Sequence, residues 1–482
     1  MGPGAHHAID LGGVFVNYRR IRQLGTALAV AGALCTPGAR AANDAMVELL
    51  KVLKDQGTIT PEVYEQLKGA AQADDEQNTA GQSEIKQAAE TLPKVDTKEK
   101  LEISTPDGAF KWRIGGRLHT DAAFYNNDTG TGDTTTLTSG ADIRRARLAL
   151  EATLYRSWLL KLEYDFAGAA DVDEGIRDAY LRYLHTAGWP LSLTVGQFKE
   201  YLGLESITSS NDISFVERAL PSRTFNDIAG GSDGRRLGVG LNTYGHNVWT
   251  ASGGIFGRNA AGETGTDDES DPIAFVGRLT LSPWHTENRA FHLGFAGSWL
   301  SPGDGHTVRI RSRPEARIGA DRLVDTGDLD ASDVNRYGAE AAGVYGPFSL
   351  QGEYLRGVVN REDAGSDDVS FDGWYVMGSW LLTGESRGYV FEEARFKNPK
   401  PKGIVGKGGI GAWELLARYS SLDLSDGSVD GGEEDNVTVG INWYPTPNFK
   451  FMANYVRVLD LEGGDFDGAE PDAFLLRAQA YW

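Results

Sequence analysis

Cysteine is almost missing from this chain of 482 residues: Cys35 is the only one, so no intrachain disulfide can form. Long apolar runs are missing too. The nearest approach is "RRIRQLGTALAVAGALCTPGARA", whose apolar core, Leu24 to Leu34, is too short to cross a bilayer as a helix. Arg19, Arg20 and Arg22 precede that core, and Ala39-Arg40-Ala41 follows as an A-x-A cleavage site, so the stretch reads as a secretory signal. Its removal would take Cys35 with it. Residues 1–18 look unlike any signal and read as an upstream extension. Positive charge is the third shortage: 47 Lys and Arg stand against 68 Asp and Glu, a formal net charge of -21. Removing residues 1–41 takes four arginines and Asp10, leaving 43 basic and 67 acidic side chains, a net of -24. That balance argues against a nucleic-acid partner.

Catalytic constellations are scarce. There is no H-E-x-x-H, no G-x-S-x-G and no cysteine nucleophile, and the eight histidines are scattered without metal spacing. "GKGGIG" (406–411) satisfies G-x-G-x-x-G, but it follows "NPKPKG" and leads into a strand. A dinucleotide site needs a strand before and a helix after. "LDLSDGSVDGGEED" is rich in oxygen ligands, yet its spacing is not that of a known calcium loop. Neither an enzyme nor a cofactor is expected.

What the chain does have is two kinds of periodicity. "DAMVELLKVLKDQG" sets Met46, Leu49, Leu50 and Leu53 on one helical stripe ended by Gly57, and "TITPEVYEQLKGAA" restarts a helix with Thr60 as N-cap and Pro61 at the first position. Residues 72–106 are polar and aperiodic, a linker or loose helix. From 109 onward the period becomes two. "LLKLEYDFAG" alternates Leu160, Leu162, Tyr164 and Phe166 with Lys161, Glu163 and Asp165; "GIRDAYLRYLH" and "WELLARYSS" behave alike. About sixteen such segments follow one another: 110–126, 141–155, 157–168, 175–185, 190–198, 235–243, 247–257, 272–284, 289–301, 334–346, 347–360, 369–383, 411–422, 435–445, 447–459 and 471–482. Tight turns such as "YGPF" and "YPTPN" alternate with long polar loops such as "LDLSDGSVDGGEED" and "LDLEGGDFDGAEPD". Trp189, Trp284, Trp299, Trp380, Trp443 and Tyr444 sit at strand ends, and the chain finishes on Trp482. An even strand number, about ten residues per strand and aromatic girdles are the pattern of an all-β transmembrane barrel of the bacterial outer membrane. The expected organisation is a signal and extension (1–41), a periplasmic helical segment and linker (42–106) and a sixteen-stranded barrel (107–482).

Phase then assigns side chains. A charged side chain on the lipid face near mid-bilayer costs about 2–4 kcal/mol. In the second strand, which carries "IRRARLALE", Leu148, Leu150, Ala152 and Leu154 must therefore face lipid, which points Arg145, Arg147, Glu151 and Thr153 into the lumen. By the same rule Arg113, Arg117, His119 and Arg236 point inward. Barrel interiors carry mixed charge in any case, and Glu163, Asp165, Asp178, Glu340 and Glu353 are available to hold these arginines in networks.

Several stretches resemble the phosphate-selective porin O/P family: "LLKVLKDQGTITPEVYEQL", "IRRARLALE", "GLESITSSNDISFVERAL", "YGAEAAGVYGPFSLQGEYLRG", and "LTGESR" with "GAWELLARYSSLDL". The resemblance covers roughly residues 45–482. It implies a sixteen-stranded trimeric barrel whose third loop folds into the lumen as a constriction, with basic residues that conduct and select anions, phosphate in the best-known members. The selective members carry a lysine after "TSS"; here that place holds Asn211, followed by Asp212, which weakens the expectation of tight phosphate binding.

Under that resemblance, loop 199–234 with Lys199, Arg218 and Arg223 narrows the pore, or Arg218 pairs with Glu217 or Glu205 to pin the loop. "GHTVRIRSRPEARIG" falls in the fifth loop. It packs Arg309, Arg311, Arg313 and Arg317 against one acid, Glu315, and either lines the entrance or dips inward to gather anions, or is a solvated basic loop. Loops 259–271, 423–435 and 460–472 hold seventeen acidic residues and no basic one; they would repel anions or bridge lipopolysaccharide through divalent cations. The reading is an outer-membrane porin, trimeric, passing small anions by diffusion, with phosphate or phosphorylated solutes favoured. A general, weakly selective porin and an envelope-tethering or adhesion barrel are the alternatives.

Overall fold

The computed structural model describes residues 38–97, 101–126, 137–168, 175–185, 189–228, 233–260, 270–303, 307–362 and 365–482. The apolar core of the expected signal lies outside them. The chain divides into two compact units, Met1–Leu92 and Pro93–Trp482.

In the first unit, helix α1 (Gly38–Asp55) and helix α2 (Pro61–Thr91) form a hairpin. Gly57 turns the chain with φ 74°, and Thr58 N–H donates to Leu53 O at 2.9 Å. Thr60 caps α2: its hydroxyl accepts from Val63 N–H at 3.4 Å, and Pro61 occupies the first position, where its missing N–H costs nothing. Lys54 Nζ lies 4.5 Å from the centre of the buried Tyr64 ring. Helix α2 continues through most of the stretch read as linker or loose helix.

The second unit is a closed antiparallel barrel of sixteen strands. They are β1 (Lys111–Asn126), β2 (Gly140–Leu154), β3 (Trp158–Asp165), β4 (Gly175–His185), β5 (Leu191–Lys199), β6 (Arg235–Gly245), β7 (Trp249–Phe256), β8 (Ile273–Leu281), β9 (Arg289–Ser301), β10 (Leu329–Tyr345), β11 (Phe348–Arg361), β12 (Val369–Leu381), β13 (Ala412–Asp426), β14 (Val429–Thr446), β15 (Phe449–Glu462) and β16 (Asp472–Tyr481). Strand β16 closes on β1, from Asp472 opposite Asn126 to Tyr481 opposite Arg117. Each of the sixteen segments of period two coincides with one of these strands.

Faces alternate as the sequence requires. In β8, Phe275, Leu279 and Leu281 are exposed to the outside while Ala274, Val276, Arg278 and Thr280 are buried inside. Two expectations fail in detail. "LDLSDGSVDGGEED" is not a long loop: β13 and β14 run through it as a hairpin that turns at 427–428, because its alternating Leu422 and Leu424 are buried inward and hold the strand pattern. A long connection appears instead at 382–411, between β12 and β13 at the end of the barrel where the chain enters and leaves, where tight turns are expected. Tyr444 also leaves the girdle. It follows the outward Trp443, so period two turns it inward, where it is buried and donates to Glu414 Oε2 at 2.7 Å.

A sixteen-stranded wall that satisfies its own hydrogen bonds needs nothing from the helical hairpin. Deleting residues 43–90 should leave a barrel that still fractionates with outer membranes and migrates faster unheated than heated in SDS gels. Recovery in the soluble periplasm would count against it.

Candidate functional site

The described part of loop 200–234, between β5 and β6, crosses the lumen and is tied to the wall by side chains of several strands. Its short helices are α3 (Leu204–Ile207) and α4 (Leu220–Thr224). Glu353 of β11 accepts the N–H groups of Leu204 and Glu205 at 2.6 and 2.7 Å. Lys450 of β15 donates to Ile213 O at 2.7 Å, Asn442 of β14 to Ser214 O at 2.8 Å, and Asn454 Oδ1 accepts from Val216 N–H at 2.7 Å. Glu217 receives Arg144 of β2 at 2.8 Å and Arg477 of β16 at 3.4 Å. Burial alone would raise the Glu217 carboxyl, but Arg144, Arg145 and Arg477 hold it well below the usual carboxylate range. Asp233 is likewise held well down against burial by Lys199, Arg218 and Arg235.

Loop 302–328, between β9 and β10, also reaches across. Tyr125 of β1 donates its hydroxyl to Ile318 O at 2.7 Å, and Thr138 N–H donates to Gly319 O at 2.8 Å. Glu315 does not neutralise its neighbouring arginines. It turns into the wall, where Arg418 of β13 donates at 3.1 Å and Ser420 and Thr438 donate at 2.5 Å each. Between this loop and loop 200–234 lies a cleft of about 270 Å³ lined by Arg218, Arg223, Arg309, Arg311, Arg313, Arg317 and Arg322, with Glu217, Asp227 and Glu315 as its acids. Burial, then the guanidinium groups of Arg144 and Arg223, push Arg317 down to about 9. An arginine under that pressure keeps its proton and favours a counter-ion.

From the other end, connection 382–411 folds inward. Its hairpin pairs Gly388–Val390 with Arg395–Lys397. Tyr389 Oη lies 2.5 Å from Ser282 Oγ and 2.8 Å from His292 Nδ1. Asp212, at the tip of loop 200–234, accepts Asn398 N–H at 3.1 Å and Arg395 Nη1 at 3.4 Å. A second cleft of about 550 Å³ opens here, lined among others by Arg113, Arg117, Arg147, Lys161, Lys397, Lys400 and Lys407.

The arginines named from sequence fall into three groups. Arg218, Arg223, Arg309, Arg311, Arg313 and Arg317 meet in the first cleft. Arg113, Arg117 and Arg147 line the second; Arg113 is half-exposed with Glu102 at 2.5 Å, Arg117 reaches Glu163 at 3.0 Å, and Arg147 reaches Asp165 at 2.7 Å. Lys199, Arg145 and Arg236 line neither. Lys199 donates to Ser206 O, and Arg236 holds the carbonyls of Ile228 and Gly257 with Glu200 3.5 Å away. Arg145 is buried, its Nη1 3.5 Å from His119 Nδ1, and its Nε has no hydrogen-bond partner among the described residues. Arg218 pins its own loop through backbone rather than through a carboxylate alone, donating to Glu205 O at 3.1 Å, Ser206 O at 3.3 Å and Thr208 O at 2.7 Å. Within the cleft Arg309 forms a fork on Asp325 at 2.7 Å. Arg311 is exposed and makes no ion pair among the described residues.

Sequence reasoning missed Arg144, Arg418 and Arg477. Alternation with Phe474 and Leu476 marks Arg477 as inward, and the polar face of "WELLARYSS" already carries Arg418. Arg144 could not be found this way. A bulge at His119–Thr120 opposite Ile143–Arg145 turns Arg144 and Arg145 inward together, against strict alternation.

A carboxyl whose folded pKa is depressed stabilises the folded state above its unfolded pKa, and that contribution is lost only as pH falls through the folded value. Docking of loop 200–234 should therefore persist down to about pH 4, where ordinary carboxyls titrate. Single-channel conductance should stay level from pH 7 to that point. Glu217→Ala should make the current noisy already at pH 7, since leaving a buried charge without its partner costs about 3–5 kcal/mol.

Residues 113–482 match the family model described as phosphate-selective porin O and P. Porin O of Pseudomonas aeruginosa is 28% identical over 424 residues, covering 80% of this chain and 91% of that protein. An uncharacterized protein of Caulobacter vibrioides is 29% identical over 379 residues, 77% of this chain and 72% of its own length. Among solved structures, an anion-selective porin from Comamonas acidovorans superposes with a TM-score of 0.49 at 12% identity, over 77% of this chain and 100% of that one. With the barrel, the lumen-folded loops and a match over most of its length, the chain belongs to the phosphate-selective porin O and P family and is an outer-membrane porin.

Proposed function

We propose that this porin passes small anions, phosphate and phosphorylated solutes among them, between the two arginine-bearing clefts of its lumen. The observation that carries the reading is the use of Glu315. The one acid of the arginine run is bound to Arg418, Ser420 and Thr438 of the wall, so the guanidinium groups of loop 302–328 face the cleft in excess over its carboxylates. Glu217 is itself occupied by Arg144 from the wall at 2.8 Å, while Asp227 pairs with the cleft's own Arg223 at 2.6 Å. Arginine forks replace the hydration of an anion, and a series of weak sites lets it leave again. The family description points the same way. The same resemblance supports a trimer, while the helical pattern of residues 42–106 supports a periplasmic segment and the composition of the acidic loops supports lipopolysaccharide bridged through divalent cations.

A weakly selective general porin is the second reading, and Asp212 favours it, an acid beside the place where the selective members carry lysine. The zero-current potential across a salt gradient separates the two: it should show preference for anions, and a cation-selective channel would overturn the first reading. Arg311→Ala with Arg313→Ala should lower conductance several-fold at 0.01 M salt and little at 1 M, because the Debye length falls from about 30 Å to about 3 Å.

A further inference from the structure

Glu315 occupies a position that simple charge-counting misreads. It stands between Pro314 and Ala316 with φ 49°, a left-handed conformation that a residue with a side chain adopts only when its surroundings impose it. Its N–H donates to Arg313 O at 2.7 Å across the proline. Both carboxylate oxygens are then consumed by the far wall. Oε1 takes the Ser420 hydroxyl, and Oε2 takes Thr438 at 2.5 Å and Arg418 Nε at 3.1 Å, with Arg418 Nη2 closing the fork. Arg418 in turn holds Glu217 O at 3.1 Å and has Glu205 Oε1 at 3.7 Å. One side chain of β13 therefore grips both lumen-folded loops, 200–234 through Glu217 and 302–328 through Glu315.

We propose that Glu315 is a positioning residue of the anion path: clamped on Arg418, Ser420 and Thr438, it holds loop 302–328 across the lumen and so fixes both the width of the first cleft and the direction in which its arginines point. This rests on the anion-path reading and adds to it a sign that charge-counting does not give. An acid that merely offset nearby arginines would, on removal, leave the channel more anion-selective at unchanged conductance. A clamp, on removal, frees the loop. The cleft widens, its arginines disperse, conductance rises and anion selectivity falls, although a negative charge has been taken away.

The test is the paired measurement of conductance and zero-current potential for the full-length porin and its Glu315→Ala variant, with heat-modifiable migration and inserted-channel counts showing that each barrel is folded. Expected is a conductance at least twofold higher, with an anion-to-cation permeability ratio at least twofold lower. Ser420→Ala with Thr438→Val changes no charge, weakens the same clamp and should move both quantities in the same directions by less. Glu315→Gln, which keeps the acceptor oxygen, should lie between wild type and Glu315→Ala. Raised anion selectivity in Glu315→Ala with unchanged conductance would overturn the clamp and leave the anion path standing. A cation-selective wild type would overturn the anion path itself. Should Glu315→Ala fail to insert, the uncharged double variant decides: wild-type conductance and selectivity there would overturn the proposal.

Discussion

Everything inside this porin depends on one closure, the ladder between β16 and β1. Hydrocarbon offers no partner to a backbone N–H or C=O, so the wall must complete its own hydrogen bonds. It does so when Asp472–Tyr481 pairs with Arg117–Asn126. That seam brings Arg477 beside Asp121, where it makes a two-fold fork at 2.7 and 2.6 Å, and next to Arg144 of β2. Without the seam there is no cationic corner for Glu217, and loop 200–234 loses its hold on that side of the lumen. The lumen loops are in this sense tenants of the wall, seated by side chains that period two directs inward.

The wall was legible from the sequence because the bilayer penalty fixes phase. Leu148 and Leu150 outside, Arg145 and Arg147 inside followed from alternation alone, and so did all sixteen strands. What was not legible arose where local pattern gives way to long-range packing. The bulge opposite His119 turned Arg144 inward unannounced. The hairpin at 427–428 looked like a loop because glycine and acid dominate its composition, while the buried Leu422 and Leu424 decide its structure. The inward fold of 382–411 has no period at all. The candidate site was half visible: the residues of "TVRIRSRPEAR" stood out as a cationic run, but only the structure shows that their single acid serves the wall. Likewise Glu353, expected in an arginine network, instead accepts two backbone amides and the Tyr375 hydroxyl at 2.5 Å.

The acidity of the chain as a whole and the arginines of its lumen are reconciled by where each sits. Along the outward face at the loop end, Asp423 stands opposite Glu433, and Glu433 opposite Glu462. Like charges placed directly across strands repel, an arrangement tolerable at a solvated rim and unfavourable in a narrow lumen. Inside, carboxylates appear mainly as partners: Glu163 and Asp165 for Arg147, Asp178 for Lys161 and Arg235, Glu340 for Arg278. Net charge says little here about what the pore encounters, because many lumen carboxylates are already engaged by arginine or lysine.

The contacts that seat loop 200–234 also set the order in which the molecule can be built. Hydrogen bonds from its tip reach Asn398, Lys450 and Gln479, 187, 237 and 268 positions further along the chain. Bonds of that span form late, after much chain entropy has been surrendered. The loop's partners on β14, β15 and β16 are synthesised last, so its seat stays incomplete until the final hairpins arrive. Closing the cylinder therefore also completes the seat, and a barrel whose last strand is delayed would lack both its seam and the β16 contacts of this loop.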